Sequence, residues 1–225
     1  HYEERRANPS SSAAMRVGTL THTFVLEAHK FASDYAVADC ATSAAKAFGL
    51  TQQANPGKTT VCRDEVEEAR AVATAILASK LASKVLCGTN GHRELSVYWM
   101  DEDVLCKARA DRIVDGTIAD LKTTQDARFS EFQRAVASYK YHLSAAFYID
   151  GFARTLGEKL SFAWIVAEKA KPNGIAFYGA DSSLIDTGRA EYKLALRTYR
   201  DHLSSSGCAS YKESFINLQL PRWYE

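Results

Sequence analysis

The chain has 225 residues, 46% of them hydrophobic and 24% charged, enough to bury one sizeable core and far from the composition of a disordered protein. Lys and Arg number 28 against 27 Asp and Glu, which excludes a uniformly basic nucleic-acid coat but not a basic channel balanced by an acidic metal site. No apolar run approaches the ~20 residues of a membrane-spanning helix, so no membrane partner is expected.

Residues 1–16 are polar, with a loop at Pro9-Ser10-Ser11-Ser12. The chain opens at His1 without a charged-then-apolar leader, and it is expected to be the C-terminal part of a longer, cytoplasmic protein. Residues 17 to about 47 follow helical periodicity through Leu20, Phe24 and Val25. Asn55-Pro56-Gly57-Lys58 is a turn. Asp64 stands in capping-box relation to Glu67 and opens an Ala-rich helix that runs to about Leu86, where Gly88-Thr89-Asn90-Gly91 stops it. The five cysteines, Cys40, Cys62, Cys87, Cys106 and Cys208, form no C-x-x-C pair, so reduced thiols are expected rather than a zinc site or disulfide framework.

The texture then changes to strands at 94–99, 104–114 and 117–122, rich in Val, Ile, Tyr and Trp. Residues 128 to about 156 return to helix, with Phe129, Phe132 and Tyr139 expected as core packing rather than base stacking, and Arg128, Arg134 and Lys140 on a solvated face in preference to a track along a DNA backbone. Strands at 160–168 and 174–179, a helix at 187–203, a loop at 204–207 and a closing stretch at 218–223 complete the chain. This order predicts one α/β domain over 1–225, with a mixed central sheet flanked by helices.

Asp115-Gly116 between Ile113-Val114 and Thr117-Ile118 is a strong hairpin signal. With those two residues as the loop, Val114 faces Thr117, Asp111 faces Asp120, and Arg109 faces Lys122 on the same side. Like charges directly opposed on a sheet repel at a Cβ separation of ~5 Å, and a divalent cation is the usual remedy. Hard oxygen ligands favour magnesium or manganese. A two-residue loop at Glu102-Asp103 places Glu94 across from Asp111; a four-residue loop places it beside Arg109. Self-compensating surface charges explain many such clusters, but here the acids are opposed, a lysine follows, and the strands are too apolar for an exposed flap.

Ala110-Asp111, nine residues further Asp120-Leu121-Lys122, resembles the PD-(D/E)xK nuclease signature, with Ala110 in the place of its Pro. The helix containing His22 resembles the one that carries the extra histidine in the helicase-associated branch of those nucleases. The run from Glu94 to Trp99, Asp120-Leu121-Lys122-Thr123-Thr124, Tyr141-His142 through Phe147-Tyr148, Asp150-Gly151, Glu168-Lys169 and Leu220-Pro221-Arg222-Trp223 follow in order. Together they are similar to the C-terminal nuclease domain of the exonuclease VIII family of phage and prophage recombination nucleases.

The resemblance implies a magnesium-dependent 5′-to-3′ exodeoxyribonuclease, bacterial or phage-encoded, with manganese as a substitute. It would act on linear double-stranded DNA and leave a 3′ single strand for a single-strand annealing recombinase, working as a ring-shaped homo-oligomer, a tetramer or trimer. Residue by residue, it assigns Asp111 and Asp120 to metal binding, Lys122 to catalysis, and His22 and Glu94 to completing the metal sphere. Arg109, Thr123 and Thr124 are candidates for DNA phosphate; the alternative for Arg109 is to neutralise Asp111 and Glu94, and for the threonines to end the strand. Relatives carry Q-x-x-x-Y in the helix after the lysine; here Ser144 replaces the Gln and leaves Tyr148 as the DNA-contact candidate. Two further functions fit these residues: a PD-(D/E)xK nuclease of single-strand or repair type, and a non-catalytic DNA-binding module.

Overall fold

The computed structural model describes residues 11–204, 214–215 and 217–219. The loop at 205–207, Cys208 and the Leu220-Pro221-Arg222-Trp223 stretch therefore lie outside the described residues. Helix α1 (Ala13–Leu26) starts at Ser12, whose hydroxyl accepts the Met15 N–H at 3.2 Å. The helix expected to continue to about residue 47 ends at Leu26. A 3-10 turn (Ala28–Lys30), a short α2 (Phe31–Asp34) and strand β1 (Tyr35–Ala38) follow. β1 pairs in parallel with β2 (Thr59–Cys62), beyond α3 (Lys46–Ala54). Periodicity within residues 17–47 carries no sign of that partner, which arrives only after α3 and the turn at Asn55.

Because β2 runs straight into α4 (Arg63–Ala78), the N-cap is the extended Cys62 and not Asp64. The capping partner is Glu65, whose carboxylate accepts the Cys62 N–H at 3.0 Å and the Arg16 Nη2 at 2.5 Å, tying α4 to α1 through a buried ion pair. Ser79 interrupts the expected long helix in an extended conformation and caps α5 (Lys80–Cys87), accepting from Ala82 N at 3.4 Å. Among the described residues no cysteines are bridged, and the Cys40 and Cys62 sulfurs lie 3.4 Å apart. No helix among the described residues is long and apolar enough to cross a membrane.

The central sheet has the order β3 (His92–Asp101), β4 (Val104–Val114), β5 (Thr117–Thr124), β6 (Ser161–Glu168) and β7 (Ile175–Gly179). β5 and β6 are parallel and the other pairs antiparallel, giving the expected mixed α/β sheet. Asp115 and Gly116 form the loop with φ of 49° and 71°, the left-handed pair that a two-residue hairpin demands. Asp101 pairs with Val104, so Glu102-Asp103 is also a two-residue loop.

Along β6, Trp164 and Val166 face one helical layer while Ile165 and Ala167 face the other, as expected of a strand buried on both sides. The first layer comprises α6 (Phe129–Ser138), α7 (Tyr141–Leu156) and α8 (Ser182–Ser204), with Phe132, Ala145, Ala146, Phe152 and Tyr192 against the sheet. The second presents Val25, Val72, Ile76 and Leu86 from α1, α4 and α5.

The helix expected over 128–156 breaks at Lys140, which has φ 58°. Phe132 is core, as expected. Phe129 and Tyr139 are not: they are 66% and 70% exposed, because they stand at the two ends of α6, which the turn at Lys140 separates from α7.

Gly151 is where α7 touches the sheet, and a Cβ there would lie 2.3 Å from the Trp99 ring. Gly151→Ala is accordingly expected to cost about 1–3 kcal/mol by overpacking. Thermal melting should register a drop of several degrees; an unchanged midpoint would show that Trp99 moves aside freely.

Candidate active site

The site begins where the sheet opens. β4 stays with β3 along its length, and β5 stays with β6 from Thr117↔Ser161 to Thr124↔Glu168. Between them β4 and β5 share only Val114↔Thr117, Ile113↔Ile118 and Arg112↔Ala119. The expected register holds, but the expected direct pairing of Asp111 with Asp120 and of Arg109 with Lys122 does not form, because the ladder ends one step earlier. Asp111 is the first residue past the last pair, and its carboxylate enters the wedge to accept the Leu121 N–H at 2.7 Å. Arg112 anchors the other side of the opening: its buried guanidinium donates to the Val85 carbonyl at 3.0 Å and the Gly88 carbonyl at 2.7 Å.

α1 crosses β5 at this point and brings His22 to the same peptide. Nε2 lies 2.7 Å from the Leu121 carbonyl. A carbonyl only accepts, so this nitrogen carries the hydrogen, and Nδ1 of the neutral ring presents a lone pair. That lone pair faces Asp111 Oδ2 at 3.5 Å. Two acceptors so placed require a proton or a cation between them, and a ring nitrogen fixed by a backbone carbonyl is how metal-binding histidines are commonly oriented. Glu94 joins them: the pairs Arg93↔Arg112 and Leu95↔Ala110 bracket it opposite Asp111. It has φ 52°, an uncommon conformation for a non-glycine residue. Ligand atoms of His22, Glu94 and Asp111 lie within 4.8 Å of one another. Two carboxylates and one imidazole form a donor set that fits a hard divalent cation.

Burial raises the Asp111 carboxyl above its ordinary range, with His22 working against the shift and Asp120 adding to it. Glu94 is raised by burial and by Asp111, with Arg109 opposing. In both acids the loss of hydration outweighs the cations beside them, Arg109 at Glu94 and His22 and Lys122 at Asp111.

Asp120 is outside the three-residue group. Its Oδ2 is ion-paired with Lys122 Nζ, yet that buried oxygen has no hydrogen bond of normal geometry. Burial alone would lower the Lys122 pKa; the adjacent Asp120 charge overcomes this and holds the ammonium above its ordinary value. The same ammonium lies 5.1 Å from the centre of the Tyr141 ring.

Arg109, expected opposite Lys122, instead donates to Glu94 at 2.5 Å and Glu27 at 2.9 Å. Glu27 was not legible as a site residue: it caps α1 outside helical geometry, with φ −140° and ψ 44°, so its spacing from His22 has no helical meaning. Thr123 and Thr124 line a cleft of about 1310 Å³ together with His22, Glu94, Asp111 and Lys122. Thr124 also donates to the Asp126 carbonyl at 3.2 Å. Tyr148 is half-buried on α7 against Phe162, and its hydroxyl pKa is raised by burial and then by Asp120. Ser144 is exposed one turn away.

Comparison with known proteins agrees with this geometry. A family described as "PDDEXK-like domain of unknown function (DUF3799)" matches residues 1–209. No curated protein matches the chain. Among solved structures, one described as a "putative exonuclease" from Eubacterium rectale superposes with a TM-score of 0.60 at 15% identity, covering 98% of this chain and 83% of that one. A second, SSO0001, reaches a TM-score of only 0.33 at 13% identity, over 87% of this chain and 82% of that one, and bears no weight. The sheet order, the acids at its opening and the family match lead to one conclusion: the chain belongs to the PDDEXK-like DUF3799 family and has the PD-(D/E)xK nuclease fold.

Proposed function

We propose that this domain is a magnesium-dependent exodeoxyribonuclease of the exonuclease VIII type. It degrades one strand of linear duplex DNA 5′ to 3′ and leaves a 3′ single strand for an annealing recombinase. The observation that carries the reading is the wedge between β4 and β5, where His22 and Glu94 converge on Asp111 beside the Asp120–Lys122 pair. A magnesium ion held by His22, Glu94 and Asp111, with Asp120 adjacent, would lower the pKa of the attacking water and neutralise the phosphate.

The side chains do the rest. Lys122, kept charged by Asp120, orients the water or stabilises the charge that develops on phosphorus-bound oxygen. Arg109 neutralises Glu94 and Glu27 and holds Glu94 in place. Thr123 offers a hydroxyl donor to the phosphates that follow, and Thr124 can do so only by giving up its bond to the Asp126 carbonyl. Polarity, the annealing partner, a cytoplasmic setting and a closed trimer or tetramer rest on the resemblance to the exonuclease VIII family.

End-labelled linear duplex is expected to be shortened from its 5′ ends with magnesium or manganese, while closed circular duplex survives. Light scattering on the same preparation should give the mass of a ring. Nicking of the circle would point to a different nuclease, and calcium-supported binding without magnesium-supported cleavage to a non-catalytic module. A monomer that digests long DNA processively would remove the ring.

A further inference from the structure

The elbow between α6 and α7 places two aromatic rings at the wall of this cleft. Tyr139 ends α6, donating its N–H to the Ala135 carbonyl at 2.8 Å, and Lys140 then takes the left-handed conformation from which α7 starts at Tyr141. This kink stacks Tyr139 on Tyr141, with ring centroids 5.6 Å apart and planes inclined by 29°.

The elbow is held from outside the cleft. Lys140 Nζ and His142 Nε2 lie 3.1 and 3.2 Å from the same Glu191 oxygen. Gly188 lets α8 approach so closely that a Cβ there would fall 2.1 Å from the His142 carbonyl oxygen. Tyr141 lies under the Lys122 ammonium, and both tyrosines line the cleft with Arg134 and Lys169. Tyr139 nevertheless leaves 70% of its surface in water, whereas Phe132, two turns earlier in α6, leaves 3%. It is an aromatic shelf, supported on one side and one ring removed from the candidate catalytic lysine, with Lys169 and the Arg134–Glu131 pair on the same cleft wall.

We propose that Tyr139 is a stacking platform for an unpaired nucleobase at the end of the strand entering the cleft. The inference rests on the nuclease reading of the same site and adds a specificity determinant to it. A nucleobase inside a duplex has both faces covered; only one freed from its pair can lie on the shelf. Stacking on a protein aromatic is comparable in strength to the stacking lost when a terminal pair opens. The shelf therefore favours ends over continuous duplex, with Tyr141 and Lys122 receiving the sugar-phosphate that the base leads in.

Short duplexes carrying 2-aminopurine at one terminal position, at the 5′ or the 3′ end in separate substrates, test this in calcium, where binding is read without cleavage. Wild type and Tyr139→Phe are expected to quench the probe at one of the two ends. Tyr139→Ala should lose the quenching and about tenfold in affinity, and this penalty should vanish when that terminal nucleotide is abasic. Unchanged quenching and affinity in Tyr139→Ala would overturn the platform, as would an equal penalty on the abasic duplex. Cleavage assays in magnesium separate the two readings. Cleavage by wild type without any Tyr139-dependent quenching removes the platform and keeps the nuclease; quenching without cleavage does the reverse. Absence of DNA binding removes both.

Discussion

Asp111→Asn is expected to eliminate cleavage and to lower divalent-cation affinity by more than about 100-fold, the upper range seen on losing even an indirect support of a metal site. The substitution keeps the shape of the side chain, and the amide oxygen still accepts the Leu121 N–H that closes the wedge. What disappears is the negative charge on which His22 and Glu94 converge. In the metal-free protein the folded-state pKa of Asp111 is raised, chiefly by burial, so its ionisation works against folding as pH rises through that value. The variant should therefore melt no lower than wild type at neutral pH. Calorimetric titration with manganese, thermal melting and a gel assay on linear duplex check the three parts. Retention of more than about a hundredth of the wild-type rate would remove Asp111 from the metal site.

Lys122→Met is expected to act on a different quantity. It keeps the aliphatic stem but deletes the ammonium that lies over the Tyr141 ring, and the loss of one fixed charge at a transition state typically costs 10²–10³ in rate. Cation affinity should not fall with it, since Asp120 loses its competing partner and its otherwise unbonded Oδ2 is released toward the metal. DNA binding, measured in calcium, should largely survive. Single-turnover rates against manganese affinity give the test: an unchanged rate would make Lys122 a structural counter-charge for Asp120, and a parallel loss of metal binding would place its effect upstream of catalysis.

The sequence by itself determined the hairpin, the face alternation and the motif spacing, because each depends on neighbours within a few residues. Asp115-Gly116 accepts the two left-handed positions that a two-residue loop requires, and that fixes Val114 against Thr117 and everything counted from them. The continuous apolar run of β6 carried its burial on both sides. The placement of Glu94 depended on which loop joined β3 to β4, and the pairing of Asp101 with Val104 chose between two open registers.

Competition between distant segments decided the rest. β5 can give its hydrogen bonds to β4 or spread away from it, and its full-length parallel pairing with β6 leaves the acids in a wedge instead of on a flat ladder. His22 reaches Leu121 only because α1 packs across β5, and Glu27 reaches Arg109 only because α1 ends there. Tyr139 read as core by its spacing and is exposed because Lys140 breaks the helix and Glu191, from α8, holds the break. β1 stayed hidden because its partner strand arrives only after α3 and a turn. Local sequence dictates which groups can occupy a face; long-range packing dictates which of those groups meet, and here it brings His22 and Glu94 to Asp111.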